Sequence, residues 1–143
     1  MIWKDSYRIG IELVDTQHIE LFERVTDFIE TLQTPGNWEE KLPKIKSTMV
    51  FMEEYVVTHF DSEEAYQKKI NYPDFENHHH IHEAFKAEVG RFAAELEQNG
   101  YQRQTVQQLA GKLLAWLINH VVVTDHKIAD FVATKGEIKD VHE

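Results

Sequence analysis

The strongest constraint on the fold of this chain is a helical repeat of apolar residues that only three short breaks interrupt. Apolar side chains recur at three- and four-residue spacing, and the pattern predicts four helices, at about residues 15–33, 40–68, 73–98 and 102–134. The breaks carry turn-forming residues: Thr34-Pro35-Gly36-Asn37, Asn71-Tyr72-Pro73 and Asn99-Gly100. Long helices with such short connections predict an all-α, antiparallel, up-down-up-down four-helix bundle, preceded by an extended N-terminal arm at residues 1–14.

The helix starts carry local signals of different strength. Asp15 is suited to be the N-cap of the first helix. The second helix has two candidate starts: Asn37 with Glu40 resembles a capping box, and Pro43 could instead be a first-turn proline. Pro73 fits the first position of the third helix.

The composition predicts a single globular domain spanning residues 1–143. Apolar residues make up 42% and charged residues 28%, and no apolar run approaches the roughly 18 residues that a membrane span needs. The absence of cysteine excludes disulfides, iron–sulfur clusters and thiolate zinc sites. The net charge of -10 argues against nucleic acid as a partner. We therefore expect a cytoplasmic protein that binds neither membranes nor nucleic acids.

Histidines and carboxylates fall on the apolar faces of all four predicted helices. They are His18, His59, Glu63, His78, His82, His120 and Asp125. Five imidazoles and two carboxylates would be costly to bury without a cation. Seven ligands are too many for one tetrahedral zinc, but they suit two ions that share the carboxylates. Nitrogen and oxygen ligands of these types suit iron, and also zinc, copper or manganese.

The spacing of these residues predicts how they could share metal ions. His59 and Glu63 are four apart, as are His78 and His82, so each pair lies on one helix face. His120 and Asp125 are five apart and would diverge by ~140° in a regular α-helix. A carboxylate displaced in this way is suited to bridging toward a second ion.

With these motifs the sequence resembles the hemerythrin family, especially its single-domain bacterial members. The matching elements, from Trp3 to Asp125, are W-x-D-S-Y, D-T-Q-H, H-F-x-x-E-E, Y-P, H-x-x-x-H-x-x-F and W-L-x-x-H-x-x-x-x-D. The ferritin-like carboxylate bundles use paired E-x-x-H motifs instead, which this chain lacks. The resemblance covers nearly the whole chain.

The resemblance implies reversible dioxygen binding at a non-haem di-iron site, for oxygen storage, delivery or scavenging. The cofactor would be two iron ions (Fe2+/Fe3+) with an oxo or hydroxo bridge, and Glu63 and Asp125 would bridge both. One iron would be held by three histidines, His78, His82 and His120. The other would be held by His18 and His59 and would keep an open position. Apolar residues are expected around that open position: Leu21, Phe60, Trp116, Leu117 and Val121.

Two other functions stay open alongside the oxygen carrier. One is an oxygen or redox sensor module, and the other is a di-iron enzyme that reduces oxygen or peroxide. The apolar pocket positions argue against the enzyme, which would need a proton donor. The chain shows no output domain, which favours the carrier, whose partners would be dioxygen and an unidentified protein recipient of oxygen.

Several polar residues near the motifs are expected to lie outside the ligand set. His79 and His80 should turn away from the core toward solvent, and Glu64 is a weaker candidate than Glu63. Each ligand histidine should also donate its second N–H to an acceptor, which the sequence does not identify.

Overall fold

The computed structural model describes residues 3–142, with side chains described for residues 3–134. A short 3-10 turn at Asp5–Tyr7 lies in the N-terminal arm. Three regular helices follow: α1 (Glu12–Gln33), α2 (Trp38–Lys69) and α3 (Phe75–Asn99). The fourth rod consists of α4 (Arg103–Trp116), a π-helical segment (Leu117–Thr124) and α5 (His126–His142). Consecutive rods pack against one another and α4 returns to α1, so the predicted all-α four-helix bundle is confirmed.

The first helix begins earlier than its sequence signal indicated. Ile11, not Asp15, is the N-cap residue, and it makes no side-chain cap. Asp15 is 3% exposed, and its carboxylate accepts hydrogen bonds from the backbone N–H of Ile9 (2.8 Å) and Gly10 (3.1 Å). Buried N–H groups need acceptors, so Asp15 fastens the arm to the first turn instead of capping it. Gly10 adopts φ +88°, a conformation that favours glycine.

Neither α2 nor α3 begins at the proline that the sequence offered as a possible start. The Asn37 side chain accepts from the Glu39 N–H at 2.9 Å, which makes Asn37 the N-cap of α2. Pro43 lies inside α2, beyond its first turn. The third helix begins at Phe75 and Pro73 belongs to the preceding turn, so the predicted place of Pro73 at the first helical position is wrong.

One apolar core runs between the four rods. All four contribute to its largest fully buried side chains, which include Phe22, Phe28, Phe60, Leu96 and Leu113. Each such side chain contributes roughly 1.5–3 kcal/mol when buried. None of the helices among the described residues combines the length and apolar character that crossing a bilayer requires.

Candidate metal centre

All four rods contribute to one buried polar cluster inside the bundle. The first gives His18, α2 gives His59 and Glu63, α3 gives His78 and His82, and the fourth gives His120 and Asp125. All seven are between 0% and 3% exposed. The structure thus brings together every side chain that the sequence placed in the ligand set.

The seven side chains form two groups that overlap. The ligand atoms within each group lie within 4.8 Å of one another. One group contains Glu63, His78, His82, His120 and Asp125, and the other contains His18, His59, Glu63 and Asp125. Both carboxylates therefore belong to both groups, while the histidines divide three to two.

Each carboxylate turns one oxygen toward each group. Asp125 Oδ1 lies 2.7 Å from His78 Nε2, whereas Asp125 Oδ2 lies 3.0 Å from His18 Nε2. Glu63 Oε1 lies 2.9 Å from His78 Nε2, whereas Oε2 lies 3.4 Å from His59 Nε2. This is the orientation that two bridging carboxylates require.

The donor atoms of this cluster fit a pair of cations. His18 and His59 face each other with 3.1 Å between their Nε2 atoms, as do His82 and His120. Glu63 Oε2 and Asp125 Oδ2 have no hydrogen bond among the described residues. Lone pairs and anionic oxygens that converge in a buried space are costly unless a proton or a metal ion lies among them.

The π-helical segment brings His120 and Asp125 to the same side of the fourth rod. The Asp125 N–H donates to the His120 carbonyl at 2.7 Å, an i→i+5 hydrogen bond that stacks residues five apart. His120 Nε2 and Asp125 Oδ1 lie 3.1 Å apart as a result. The divergence of ~140° expected from regular α geometry is therefore wrong.

The sequence model of a known protein family matches the part of the chain that contains this cluster. The model of the hemerythrin HHE cation binding domain matches residues 9–132. The chain belongs to the hemerythrin family. The matched residues include all seven of the buried cluster.

Individual relatives are similar over most of the chain. A bacteriohemerythrin of Clostridium acetobutylicum is 28% identical over 130 residues, which are 90% of this chain and 98% of that protein. A bacteriohemerythrin of Pseudomonas aeruginosa is 24% identical over 145 aligned positions, which cover 96% of this chain and 90% of that protein. Myohemerythrin-1 of Phascolopsis gouldii is 25% identical over 126 residues, which cover 88% of this chain and 89% of that protein.

Amide side chains support two of the histidines in this hemerythrin-family site. His59 Nδ1 donates to Gln17 Oε1 at 2.9 Å, and Gln17 in turn donates to Ser62 Oγ at 3.2 Å. The Gln67 amide lies 2.8 Å from His78 Nδ1, and its otherwise unpartnered oxygen accepts that N–H when the amide is flipped. These bonds leave Nε2 of both rings to face the cluster.

A carboxylate supports a third histidine and links it to the surface. Glu64 accepts from His82 Nδ1 at 2.8 Å and from His79 Nδ1 at 2.6 Å. His79 and His80 both lie at the surface as expected, and the His79 side chain is 40% exposed. The bond from His79 to Glu64 was not predicted. Sequence reasoning missed Gln17, Gln67 and Glu64, but Gln67 had a usable signal because it lies four residues after Glu63 on one helix face.

The electrostatics of the metal-free cluster separate the histidines by charge. Burial lowers the pKa of His18, but the Asp125 and Glu63 carboxylates outweigh this effect and raise it to about 9. The same balance raises the pKa of His78 to about 10. Burial lowers the pKa of His59 to about 3, since its ring is fully enclosed. Burial also acts to raise the pKa of Glu63, but the surrounding imidazoles prevail and hold it well below its ordinary value.

The five apolar residues expected around the open position are all buried. Leu21, Phe60, Leu117 and Val121 are 0% exposed, and Trp116 is 7% exposed. The Phe60 ring stacks on His82 with 3.8 Å between centroids, and Trp116 stacks on His120 at 5.5 Å. Two of these residues thus contact histidines of the three-histidine group, and all five belong to one core cluster.

A surface groove leads toward the same region. It has a volume of about 370 Å³ and lies between α3 and the fourth rod. Phe85 and Trp116 stack along it, with 4.4 Å between centroids, and His120 lines it beside them. Of the seven cluster residues, His120 alone is among the residues that line this groove.

Proposed function

We propose that this chain binds dioxygen reversibly at a di-iron centre, for oxygen storage, delivery or scavenging. One observation carries the proposal: two ligand groups share both carboxylates but differ by one histidine. Five protein ligands near one ion and four near the other would leave the second ion with a position for an exogenous molecule.

The chain's own residues would hold the two ions unequally. His78, His82 and His120 would bind one iron, His18 and His59 would bind the other, and Glu63 and Asp125 would bridge them. When bound, two iron ions with an oxo or hydroxo bridge would supply the redox chemistry that reversible dioxygen binding requires. The Gln17, Gln67 and Glu64 side chains would orient three of the rings through Nδ1.

The apolar residues would keep water away from the open position. Leu21, Leu117 and Val121 have no exposed surface, and Phe60 lies against His59 of the two-histidine group, with 5.8 Å between ring centroids. Phe60 also stacks on His82, and Trp116 stacks on His120, both in the three-histidine group. A carrier must exclude water and external protons, whereas a reductase would need a route for them. This enclosure supports a carrier over a di-iron reductase.

The test is to mix the anaerobic, iron-loaded ferrous protein with air and follow its absorption spectrum. The proposal predicts a stable oxygenated species that disappears when the gas is removed and returns when it is restored. The His80→Ala variant should behave identically, because His80 is exposed and outside the cluster. Immediate oxidation with repeated turnover of an electron donor would contradict the carrier and favour the reductase.

A further inference from the structure

We propose that Thr124 is a positioning residue of the metal centre, because its hydroxyl holds the π-helical register that turns Asp125 toward His120. The proposal rests on the metal site proposed above, but not on oxygen binding. Thr124 is not among the candidate ligands and acts on the centre through the helix backbone. Its Oγ1 donates to the Asn119 carbonyl, five residues back, at 2.9 Å.

The hydroxyl of a helical threonine reports the local helix register. Four other threonine hydroxyls within helices that the structure describes donate to the carbonyl four residues back, as α geometry dictates; they are Thr31, Thr48, Thr58 and Thr134. The Thr124 hydroxyl reaches Asn119 because the segment is wound with i→i+5 spacing. The Asp125 N–H repeats that spacing one residue later, at His120.

The π register needs local support because it is rare and forms short segments within α-helices. A return to the α register would rotate Asp125 away from His120 by ~140°. Val121, Val122 and Val123 disfavour a return to the α register, since β-branched residues are poorer α-helix formers. The Thr124–Asn119 bond adds a direct preference for the π register.

The consequence is that the second bridging carboxylate is in place before a metal ion arrives. If the register had to change on binding, part of the binding free energy would be used to rewind the helix. Thr124 therefore raises the affinity of the site without touching a ligand atom.

The experiment compares Thr124→Val and Thr124→Ala, which lose the hydroxyl, with Thr124→Ser, which keeps it. Anaerobic Fe2+ uptake against a competing chelator should show an affinity about five-fold weaker in the first two variants, as expected for one lost hydrogen bond. In the metal-free protein, amide hydrogens of residues 117–125 should exchange faster in the same variants. Thr124→Ser should restore both properties.

Thr134→Val is the matched control, because Thr134 makes the equivalent bond in regular α-helix, to Asp130 at 3.0 Å. It should leave Fe2+ affinity and exchange in the π-helical segment unchanged. Native Fe2+ affinity and native exchange in either folded variant, Thr124→Val or Thr124→Ala, would overturn the proposal. An equal effect of Thr134→Val would also overturn it. Since exchange is read without metal or oxygen, failure of the oxygen-binding proposal would remain distinguishable.

Discussion

A histidine ligand has two nitrogens, and the one that faces away from the metal determines how firmly the ring is oriented. Three rings in this site have that nitrogen anchored: His59 by Gln17, His78 by Gln67 and His82 by Glu64. The Nδ1 atoms of His18 and His120 have no hydrogen bond among the described residues. These two rings are therefore held by packing, and they should be the more sensitive to changes around them.

His18→Ala should remove one of only two histidines in the smaller ligand group. We expect bound iron to fall from two ions toward one per chain and reversible gas binding to be lost. Iron analysis together with the anaerobic air-exposure spectrum measures both. His80→Ala serves as the control, and gas binding that persists unchanged in His18→Ala would refute the assignment of His18.

Leu117→Ala should open the apolar enclosure and shorten the lifetime of the oxygenated form. The substitution should also cost about 2–5 kcal/mol in unfolding free energy, as a buried leucine does. Leu113→Ala is the matched control: Leu113 is equally buried, one turn earlier on the same rod. Leu113→Ala should keep the native autoxidation rate. If Leu117→Ala also keeps that rate, Leu117 is not the water barrier.

Metal uptake near neutral pH should release at least two protons per chain, one each from His18 and His78. Their pKa values of about 9 and about 10 lie above the ordinary 6.5, so both rings are charged in the metal-free protein. That charge stabilises the metal-free fold most fully below pH 6.5, and the stabilisation is lost as the pH rises through 9 to 10. Metal affinity should therefore increase with pH over that range.

Calorimetric titrations in buffers of different ionisation enthalpy count the released protons. The count should fall as the pH approaches 10, where both rings are already losing their protons. Uptake without proton release near neutral pH would contradict these charge states.

Among the elements, the N-terminal arm depends on one carboxylate. Asp15→Ala should leave the Ile9 and Gly10 N–H groups without their acceptor and cost about 1–3 kcal/mol in unfolding free energy. Urea denaturation measures the change. Asp27→Ala is a suitable control, because Asp27 makes a half-exposed ion pair with Lys44 that should be worth at most about 1 kcal/mol. Equal effects of the two substitutions would show that Asp15 does not hold the arm.

The elements also show which features sequence patterns can predict. Apolar spacing predicted the bundle and placed all seven candidate ligands on inward faces, because a helix face repeats every three to four residues. Regular α-helical spacing did not predict that His120 and Asp125 approach each other, since their convergence depends on a change of helix register. The N-cap prediction for Asp15 was wrong because the local sequence does not distinguish an aspartate that caps a helix from one that binds the preceding arm. Partners such as Gln17 and Glu64 depend on contacts between helices, which spacing along one helix does not reveal.

For the molecule as a whole, we expect metal binding and the fold to be linked because every rod supplies a candidate ligand. Removing the ions should leave a buried, highly polar cluster in the centre of the bundle, at a cost in stability. We expect the metal-free protein to melt at a lower temperature than the iron-loaded one, by an amount that grows with free metal concentration. Thermal scans at several concentrations test this, and a melting temperature independent of metal would contradict the linkage.

We expect two metal ions to share Glu63 and Asp125 inside the bundle. Crystals of the iron-loaded protein, measured at the iron absorption edge, test it most directly through the anomalous signal. Two peaks should appear about 3.5–4 Å apart, one beside His78, His82 and His120 and the other beside His18 and His59. A single peak, or peaks outside these two groups, would contradict it.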